Sequence, residues 1–236
     1  MKYTFDSRAV CEFIGLTIDE GQVFELRVPQ CKLHGQYKTG TYSGNFDRDH
    51  CAELVAALQQ IEWAPGVYVT PNPLNPALHS RSYNRARLVD TKQPTTSDAD
   101  ILRRKWLLID VDVKRPPGIS SNEAEKRHAA QLITDLDYWL WERGFPPGLI
   151  GDSGNGSHLM IPVDLPAADG GFCQRLLKTL AREFDNAHAA VDTTTANASR
   201  IWKLPGTLAC KGDHAPQIGR PWRMARIVMN CLEVGR

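Results

Sequence analysis

Hydrophobic and polar residues along this chain repeat with periods that switch several times between strand-like and helix-like. Strands are predicted at residues 22–28, 67–69, 107–109, 158–163, 189–192 and 222–229. Apolar residues at helical spacing predict helices that begin at Asp47 and lie within residues 124–140 and 172–184. Because strands alternate with helices, the pattern predicts an α/β or α+β sheet protein.

The predicted helix over residues 124–140 has recognisable ends. Ser120 and Glu123 have the spacing of a capping box. Gly144 and Pro146 follow the last apolar position and are expected to stop the helix. His128 falls on the apolar face, so we expect it to be packed rather than catalytic.

Length and composition set outer bounds. At 236 residues the chain can bury a substantial core, as one large domain or two closely packed smaller units. The net charge of +1 gives no global sign of nucleic-acid binding. Basic residues nevertheless gather after Ser199, which predicts a polyanionic partner, with a solvated basic tail as the alternative. They are Arg200, Lys203, Lys211, Arg220, Arg223, Arg226 and Arg236.

The sequence also bears on location and redox state. No apolar stretch is as long as a membrane span, and the first residues lack the apolar segment of a secretory signal. We therefore expect a cytoplasmic protein with no membrane partner. The six cysteines form no Cys-X-X-Cys pair, so reduced thiols are expected. A zinc site from Cys31, His34, His50 and Cys51 is the alternative, but its spacing is irregular.

Asp110 and Asp112 directly follow the apolar run at residues 106–109. Residues two apart in a strand point the same way, so both carboxylates share one face. Adjacent carboxylates raise each other's pKa unless a cation lies between them. The pair therefore indicates a hard divalent metal with oxygen ligands. A solvated surface turn is the alternative, and nucleotide-sugar transferases also hold a metal with Asp-X-Asp.

A glycine-rich turn at residues 151–158 leads into a predicted strand. Its three glycines let the backbone approach a ligand closely and expose N–H groups, which favours an anion site. Ser153, Asn155 and Ser157 add neutral donors, and His158 can donate to a phosphate oxygen. A plain hairpin turn is the alternative.

The third motif begins at Asp192, which follows a short apolar run. A third metal ligand is one interpretation of this residue, and a helix or turn cap is the alternative. Arg200, Lys203 and Lys211 lie beyond it. A third carboxylate would complete a metal cage, and nearby cations can neutralise a triphosphate.

Taken together, the three motifs resemble the archaeo-eukaryotic primase superfamily, and within it the primase-polymerases of bacteria, phages and plasmids. The resemblance rests on the order and spacing of Asp110-X-Asp112, residues 153–158, and Asp192 with residues 200–207 and 211–212. Residues 67–73, 84–85 and 220–223 also resemble that family. The likeness spans roughly residues 66 to 227, and the first sixty or so residues match nothing sharply.

The resemblance implies a single catalytic domain with the two-lobed primase-polymerase core. An N-terminal α/β unit, about residues 1–100, would pack on an RNA-recognition-motif-like sheet, about residues 101–236. The implied activity is that of a DNA primase and DNA polymerase, a template-directed nucleotidyltransferase acting in replication of a phage, plasmid or mobile element. It would use single-stranded DNA template and primer, ribo- or deoxynucleoside triphosphates, and two Mg²⁺ or Mn²⁺ ions. A replicative helicase is a further expected partner.

The resemblance also implies site residues. The metal ligands and catalytic residues would be Asp110, Asp112 and Asp192. The nucleotide would be bound by Ser153, Asn155, Gly156, Ser157, His158, Arg200, Lys203 and Lys211. The template is expected on the basic C-terminal surface, with Tyr83, Trp202 and Trp222 as candidate stacking rings. Three alternatives stay open: a non-catalytic single-stranded-DNA-binding replication module, a gap-filling repair polymerase of the same superfamily, and a nucleotide-sugar transferase.

Overall fold

The computed structural model describes residues 3–89 and 94–232, and within these ranges the chain is a mixed α/β protein built on antiparallel sheets. The helices are α1 (Ser7–Thr17), α2 (Cys51–Gln59), α3 (Glu123–Trp141) and α4 (Phe172–Phe184). The strands are β1 (Val23–Leu33), β2 (Gly40–Asp47), β3 (Ile61–Trp63), β4 (Tyr68–Val69), β5 (Arg87–Leu88), β6 (Arg103–Val113), β7 (Leu149–Asp152), β8 (Ser157–Pro166), β9 (Ala189–Val191), β10 (Trp202–Lys203), β11 (Leu208–Ala209), β12 (Arg223–Met224) and β13 (Arg226–Asn230). The predicted α/β (α+β) class is confirmed.

The first sheet has the strand order β10-β4-β1-β2-β5, with β3 paired to β1. Its apolar face carries Phe24 and Leu26, which are fully buried against α1 and α2. A disulfide between Cys11 and Cys51 joins these two helices. The prediction of uniformly reduced thiols was therefore wrong, because the fold brings two cysteines 40 residues apart into contact. Cys51 is consequently not free for the alternative zinc site.

The second sheet has the order β13-β7-β8-β6-β9. One face, including Leu107 and Ile109, packs on α3 and α4. On the opposite face Trp106 and Leu108 join the core of the first sheet, so the two sheets pack against each other. Strand β10, although late in the chain, lies at the edge of the first sheet beside β4. The division of the chain near residue 100 stays a prediction.

Several local predictions were wrong. Asp47 ends β2 instead of starting a helix, because the chain turns there and α2 begins at Cys51. The capping box of α3 is formed by Asn122 and Glu125, since Asn122 has the extended backbone of a cap and accepts from the Glu125 N–H at 2.9 Å.

Two further predictions also need correction. His128 is exposed and stacks on His188, with 4.0 Å between ring centroids. The strand predicted at 222–229 is interrupted at Ala225, whose N–H donates to the Thr207 carbonyl. Within the described ranges, no helix has both the length and the apolar character that crossing a membrane requires.

Candidate metal and nucleotide site

Three carboxylates meet where β6 and β9 lie side by side. Asp110 and Asp112 are on β6, and Asp192 follows β9. The two strands pair antiparallel, and the Asp192 N–H donates to the Asp110 carbonyl at 2.8 Å. One ligand atom from each aspartate lies within 4.8 Å of the other two. Among the described residues, this is the one group of three or more acidic, histidine or cysteine side chains arranged to hold a metal ion.

The electrostatics of this cluster favour a bound cation. Burial, followed by the negative charges of Asp112 and Asp192, raises the pKa of Asp110 to about 7. Arg200 lies 3.2 Å from Asp192, whereas within residues 3–89 and 94–232 no ion pair forms with Asp110 or Asp112. Three oxygen donors with incomplete charge neutralisation fit a hard divalent metal.

His158 lies beside this cluster on β8. It stands directly opposite Asp110 across the β6–β8 ladder, and its ring stacks on Trp202 with centroids 4.5 Å apart. On the neighbouring strand, a Cβ at Gly151 would come within 2.0 Å of the His158 Nε2, so glycine makes room for the ring. Burial lowers the pKa of His158 to about 4. The imidazole is thus neutral at physiological pH and offers hydrogen bonds rather than charge.

The glycine-rich turn is held together by its own side chains. Asn155 is buried, and its amide oxygen accepts from the Ser121 N–H at 2.9 Å while its nitrogen donates to the Lys211 carbonyl at 2.9 Å. The Ser153 hydroxyl accepts from the Gly156 N–H at 3.0 Å. Asn155 therefore joins three segments of the chain and positions the turn.

The turn places its remaining residues differently. Ser157 pairs with Val111, so it projects from the face of the sheet opposite to His158 and Asp110. Ser157 is accordingly not brought into the cleft. Gly156 packs on β6, where a Cβ would lie 2.4 Å from the Val111 carbonyl oxygen. Gly156 therefore allows the backbone of the turn to approach the backbone of β6 closely.

The opposite wall of the cleft is cationic. This wall carries Arg200, Lys203 and Lys211. The other residues that line the cleft include Asp110, Asp112, Ser153, Asn155 and His158. Lys203 is buried, donates to the Leu208 carbonyl at 3.0 Å, and lies 5.6 Å from the centre of the Tyr68 ring. Burial lowers the pKa of Lys203 to about 7. Lys211 is exposed at the mouth of the cleft.

Comparisons with known proteins give limited information. No protein-family model matches the chain, and no curated protein matches it. Among solved structures, the chain is similar to the polymerase domain of Ligase D from Mycobacterium tuberculosis in complex with DNA. The alignment covers 94% of this chain and 79% of that chain, with 18% sequence identity and a TM-score of 0.48. Because both values are low, function is inferred from the cleft residues and their motifs alone.

Two cleft residues were missed at the sequence level. Tyr68 and Arg115 also line the cleft, and Tyr68 stands opposite Lys203 across β4 and β10. Burial, followed by the charge of Asp110, raises the pKa of Tyr68. Tyr68 belongs to a predicted strand, but its partner strand is more than 130 residues away, so nothing local indicated its position.

The basic C-terminal residues do not form the free surface that was expected. Arg220 makes two hydrogen bonds to Glu125, at 2.8 and 2.7 Å, and Arg223 donates to Glu123 at 2.9 Å. Arg226 approaches Asp152, and Arg236 lies outside the described residues. Arg220 and Arg223 instead attach the C-terminal segment to α3, and Arg226 lies near Asp152 of the second sheet.

The three candidate stacking rings also differ in exposure. Trp202 is buried, and Trp222 is half-buried with its indole N–H donating to the Gly212 carbonyl at 2.6 Å. Tyr83 is 60% exposed and lies on the first sheet's side of the molecule, in the loop before β5. Of the three, Tyr83 alone presents an accessible ring.

Proposed function

We propose that this protein is a template-directed nucleotidyltransferase, a DNA primase-polymerase. Its cleft would join the 3′-hydroxyl oxygen of a growing strand to the α-phosphorus of a nucleoside triphosphate, with pyrophosphate as the leaving group. The observation that carries the proposal is the convergence of Asp110, Asp112 and Asp192 opposite Arg200, Lys203 and Lys211 in one cleft. The motif order that resembles primase-polymerases supports the same activity.

The three aspartates would hold two Mg²⁺ or Mn²⁺ ions, and their oxygen donors and unneutralised charge fit these metals. When bound, such ions lower the pKa of an attacking hydroxyl and stabilise negative charge on the leaving group. Arg200 would keep the Asp192 carboxylate in place through their 3.2 Å contact. Thr194 supports the same carboxylate through its N–H and hydroxyl, at 2.8 and 2.7 Å.

The remaining cleft residues would bind and orient the triphosphate. Lys203 and Lys211 supply positive charge, which is most effective where water is partly excluded. His158, neutral and held between Gly151 and Trp202, would donate a hydrogen bond to a phosphate oxygen. Asn155 would act indirectly by fixing the glycine-rich turn. Such fixed donors favour in-line attack because they restrict the orientation of the reacting group.

The biological setting is a finer part of the same proposal. We propose a role in replicating a phage, plasmid or mobile element, in the cytoplasm, with single-stranded DNA as template and a replicative helicase as partner. These points are supported by the resemblance of the motifs to primase-polymerases.

A product assay tests the activity. The protein is incubated with unprimed, primed or gapped DNA, with Mg²⁺ or Mn²⁺, and with labelled ribo- or deoxynucleotides, and the products are sized. We expect products that require both template and metal. Absence of product under every condition would support a non-catalytic binding module, and transfer without template would support a nucleotide-sugar transferase. Extension confined to gapped DNA would support a repair polymerase.

A further inference from the structure

Five residues stand opposite one another across the five consecutive strands of the first sheet. In order from the cleft outward they are Lys203, Tyr68, Arg27, Ser43 and Arg87. Directly paired residues in antiparallel strands project from the same face, so these side chains form one line, which we call the cross-sheet row. With neighbouring strands about 4.8 Å apart, the row is roughly 19 Å long.

The cross-sheet row runs from the cleft to an exposed outer end, and its middle lies beneath the segment that contains Thr96. Lys203 and Tyr68 line the cleft itself, next to Asp110. Exposure then increases along the row, from buried Lys203 through half-buried Arg27 to exposed Arg87. The opposite face of these strands is apolar and buried in the core. The cross-sheet row therefore lies on the polar face of the first sheet, and the other face of that sheet packs in the core.

The middle of the row is fixed by one buried acid. The Glu25 carboxylate accepts from the Arg27 Nε at 3.2 Å and from the Ser43 hydroxyl. Arg27 also donates to the Thr96 carbonyl at 2.8 Å. These bonds hold Arg27 in place and offset its charge, so positive potential on the row must come mainly from its outer end.

At the outer end, the arginines have no acidic partner among the described residues. Arg81 and Arg87 line the same depression above Glu25 and Ser43, and Arg87 donates to the Arg81 carbonyl at 3.4 Å. Within the part of the chain that the structure describes, neither arginine forms an ion pair with a carboxylate. Arg85, on the same loop, is also exposed. This contrasts with Arg220 and Arg223, whose charges are neutralised by glutamates.

The loop of residues 81–87 is held rigidly against the sheet. Asn84 has a left-handed backbone with φ of 50°, which asparagine tolerates better than most residues. Its side chain is buried and bonds to Asp47, accepting from the N–H at 3.0 Å and donating to the carboxylate at 3.1 Å. A Cβ at Gly44 would lie 1.9 Å from the Arg85 carbonyl oxygen, so only glycine allows this close packing.

An exposed aromatic ring completes the surface. Tyr83 lies within the same loop and stacks on His79, with 4.6 Å between ring centroids. An exposed ring in the same loop as Arg81, Arg85 and Arg87 is a combination suited to single strands, because bases can stack on the ring while the cations contact phosphates. A preformed loop also reduces the entropy lost on binding.

We propose that the exposed outer end of the cross-sheet row and the loop of residues 81–87 bind a single-stranded nucleic-acid template on its way to the cleft. The proposal rests on the proposed function and specifies where its template binds. It places the template on the first sheet instead of on Arg220 and Arg223, whose charges are neutralised by glutamates.

The first test measures binding of a fluorescein-labelled oligothymidine by fluorescence anisotropy over a range of salt concentrations, without metal. The variant Arg81→Ala/Arg87→Ala should weaken binding about tenfold. Loss of two phosphate contacts should also reduce the slope of log affinity against log salt by about 1.4. The control is Arg182→Ala, an exposed arginine on α4, and it should behave as the parent.

The second test separates stacking from charge. Tyr83→Ala should weaken the same complex about tenfold with an unchanged salt slope, because stacking on the ring is lost while phosphate contacts remain. Tyr37→Ala is the matched control, since Tyr37 is fully exposed and distant in sequence from the loop. Thermal melts confirm that each variant is folded; both arginines are exposed, so their truncation should leave the core intact.

The outcomes distinguish this proposal from the proposed activity. Parent-like affinity and salt slope in Arg81→Ala/Arg87→Ala would overturn the template path. Asp110→Asn should bind the strand as the parent does while making no product. If the parent itself makes no product but the double arginine variant loses affinity, the proposed template surface is supported and the proposed activity is contradicted. If the parent makes product and the double variant binds normally, the proposed template surface is contradicted and the proposed activity is not.

Discussion

The backbone N–H of Asp192 donates to the backbone carbonyl of Asp110 at 2.8 Å. This single bond continues the pairing of β9 with β6. It brings the carboxylate of Asp192 next to that of Asp110, which lies much earlier in the chain. Because the bond joins main-chain atoms, strand register sets the backbone position of Asp192, while Thr194 and Arg200 orient its carboxylate. The acidic cluster is thus a direct product of the topology of the second sheet.

We predict that the metal-free parent loses stability relative to Asp110→Asn as pH rises from about 4 to about 7; His158, whose pKa burial lowers to about 4, acts in the opposite direction in both proteins. The pKa of Asp110 is about 7 in the fold, against about 3.9 in an unfolded chain. The folded state therefore binds more protons in this window, and the associated stability, present below the unfolded pKa, is lost as pH rises through the folded one. Thermal melts in EDTA across this range measure the effect.

Divalent metal should reverse that loss. Mn²⁺ should raise the melting temperature more at pH 8 than at pH 5, because protons compete with the metal for Asp110. In Asp110→Asn the loss of stability that Asp110 causes should be absent, and the Mn²⁺ effect should shrink. An equal Mn²⁺ effect at both pH values would argue against metal binding by this carboxylate.

We predict that nucleotide binding is accompanied by proton uptake near pH 8. Burial lowers the pKa of Lys203 to about 7, so the free protein has this amine largely neutral at pH 8. A triphosphate nearby favours the charged form and raises that pKa, which requires a proton from the buffer. Calorimetry in buffers of different ionisation enthalpy should show uptake by the parent. Lys203→Met should show no proton uptake. Equal uptake by the parent and Lys203→Met would mean that Lys203 does not gain a proton when the nucleotide binds.

We predict that His158→Ala raises the KM for the nucleotide about tenfold, as expected for one lost hydrogen bond to a charged group. Because the pKa of His158 is about 4 in the free protein, the variant measured at pH 8 removes a neutral hydrogen-bond donor and not a charge. Gly151→Ala is a second variant, since its Cβ would displace the ring from 2.0 Å away. An unchanged KM in both variants would remove His158 from the triphosphate site.

Local sequence signals identified much of the fold. The apolar repeat of α4 predicted both of its ends, Phe172 and Phe184, because that helix packs one amphipathic face on the second sheet. The run before Asp110 predicted a buried strand, and strand alternation correctly placed Asp110 and Asp112 on one face. These features depend only on residues close in sequence.

Features that depend on strand register could not be predicted. Ser157 was grouped with His158, yet adjacent strand residues face opposite ways, and only the β6–β8 pairing shows which of them faces Asp110. The Cys11–Cys51 disulfide and the Tyr68–Lys203 pair likewise join segments distant in sequence. The sequence shows that Arg220 is charged, but it does not show that Arg220 pairs with Glu125 on α3.

The most direct test of the central claim is metal-dependent primer extension by Asp110→Asn. The matched control is Asp135→Asn, which removes an exposed carboxylate on α3 whose hydrogen bond is to Gln131. With Mn²⁺ and labelled nucleotides on a primed single strand, we expect Asp135→Asn to match the parent. Asp110→Asn should be at least about a hundredfold slower while remaining folded. Extension by Asp110→Asn at the parental rate would contradict the account.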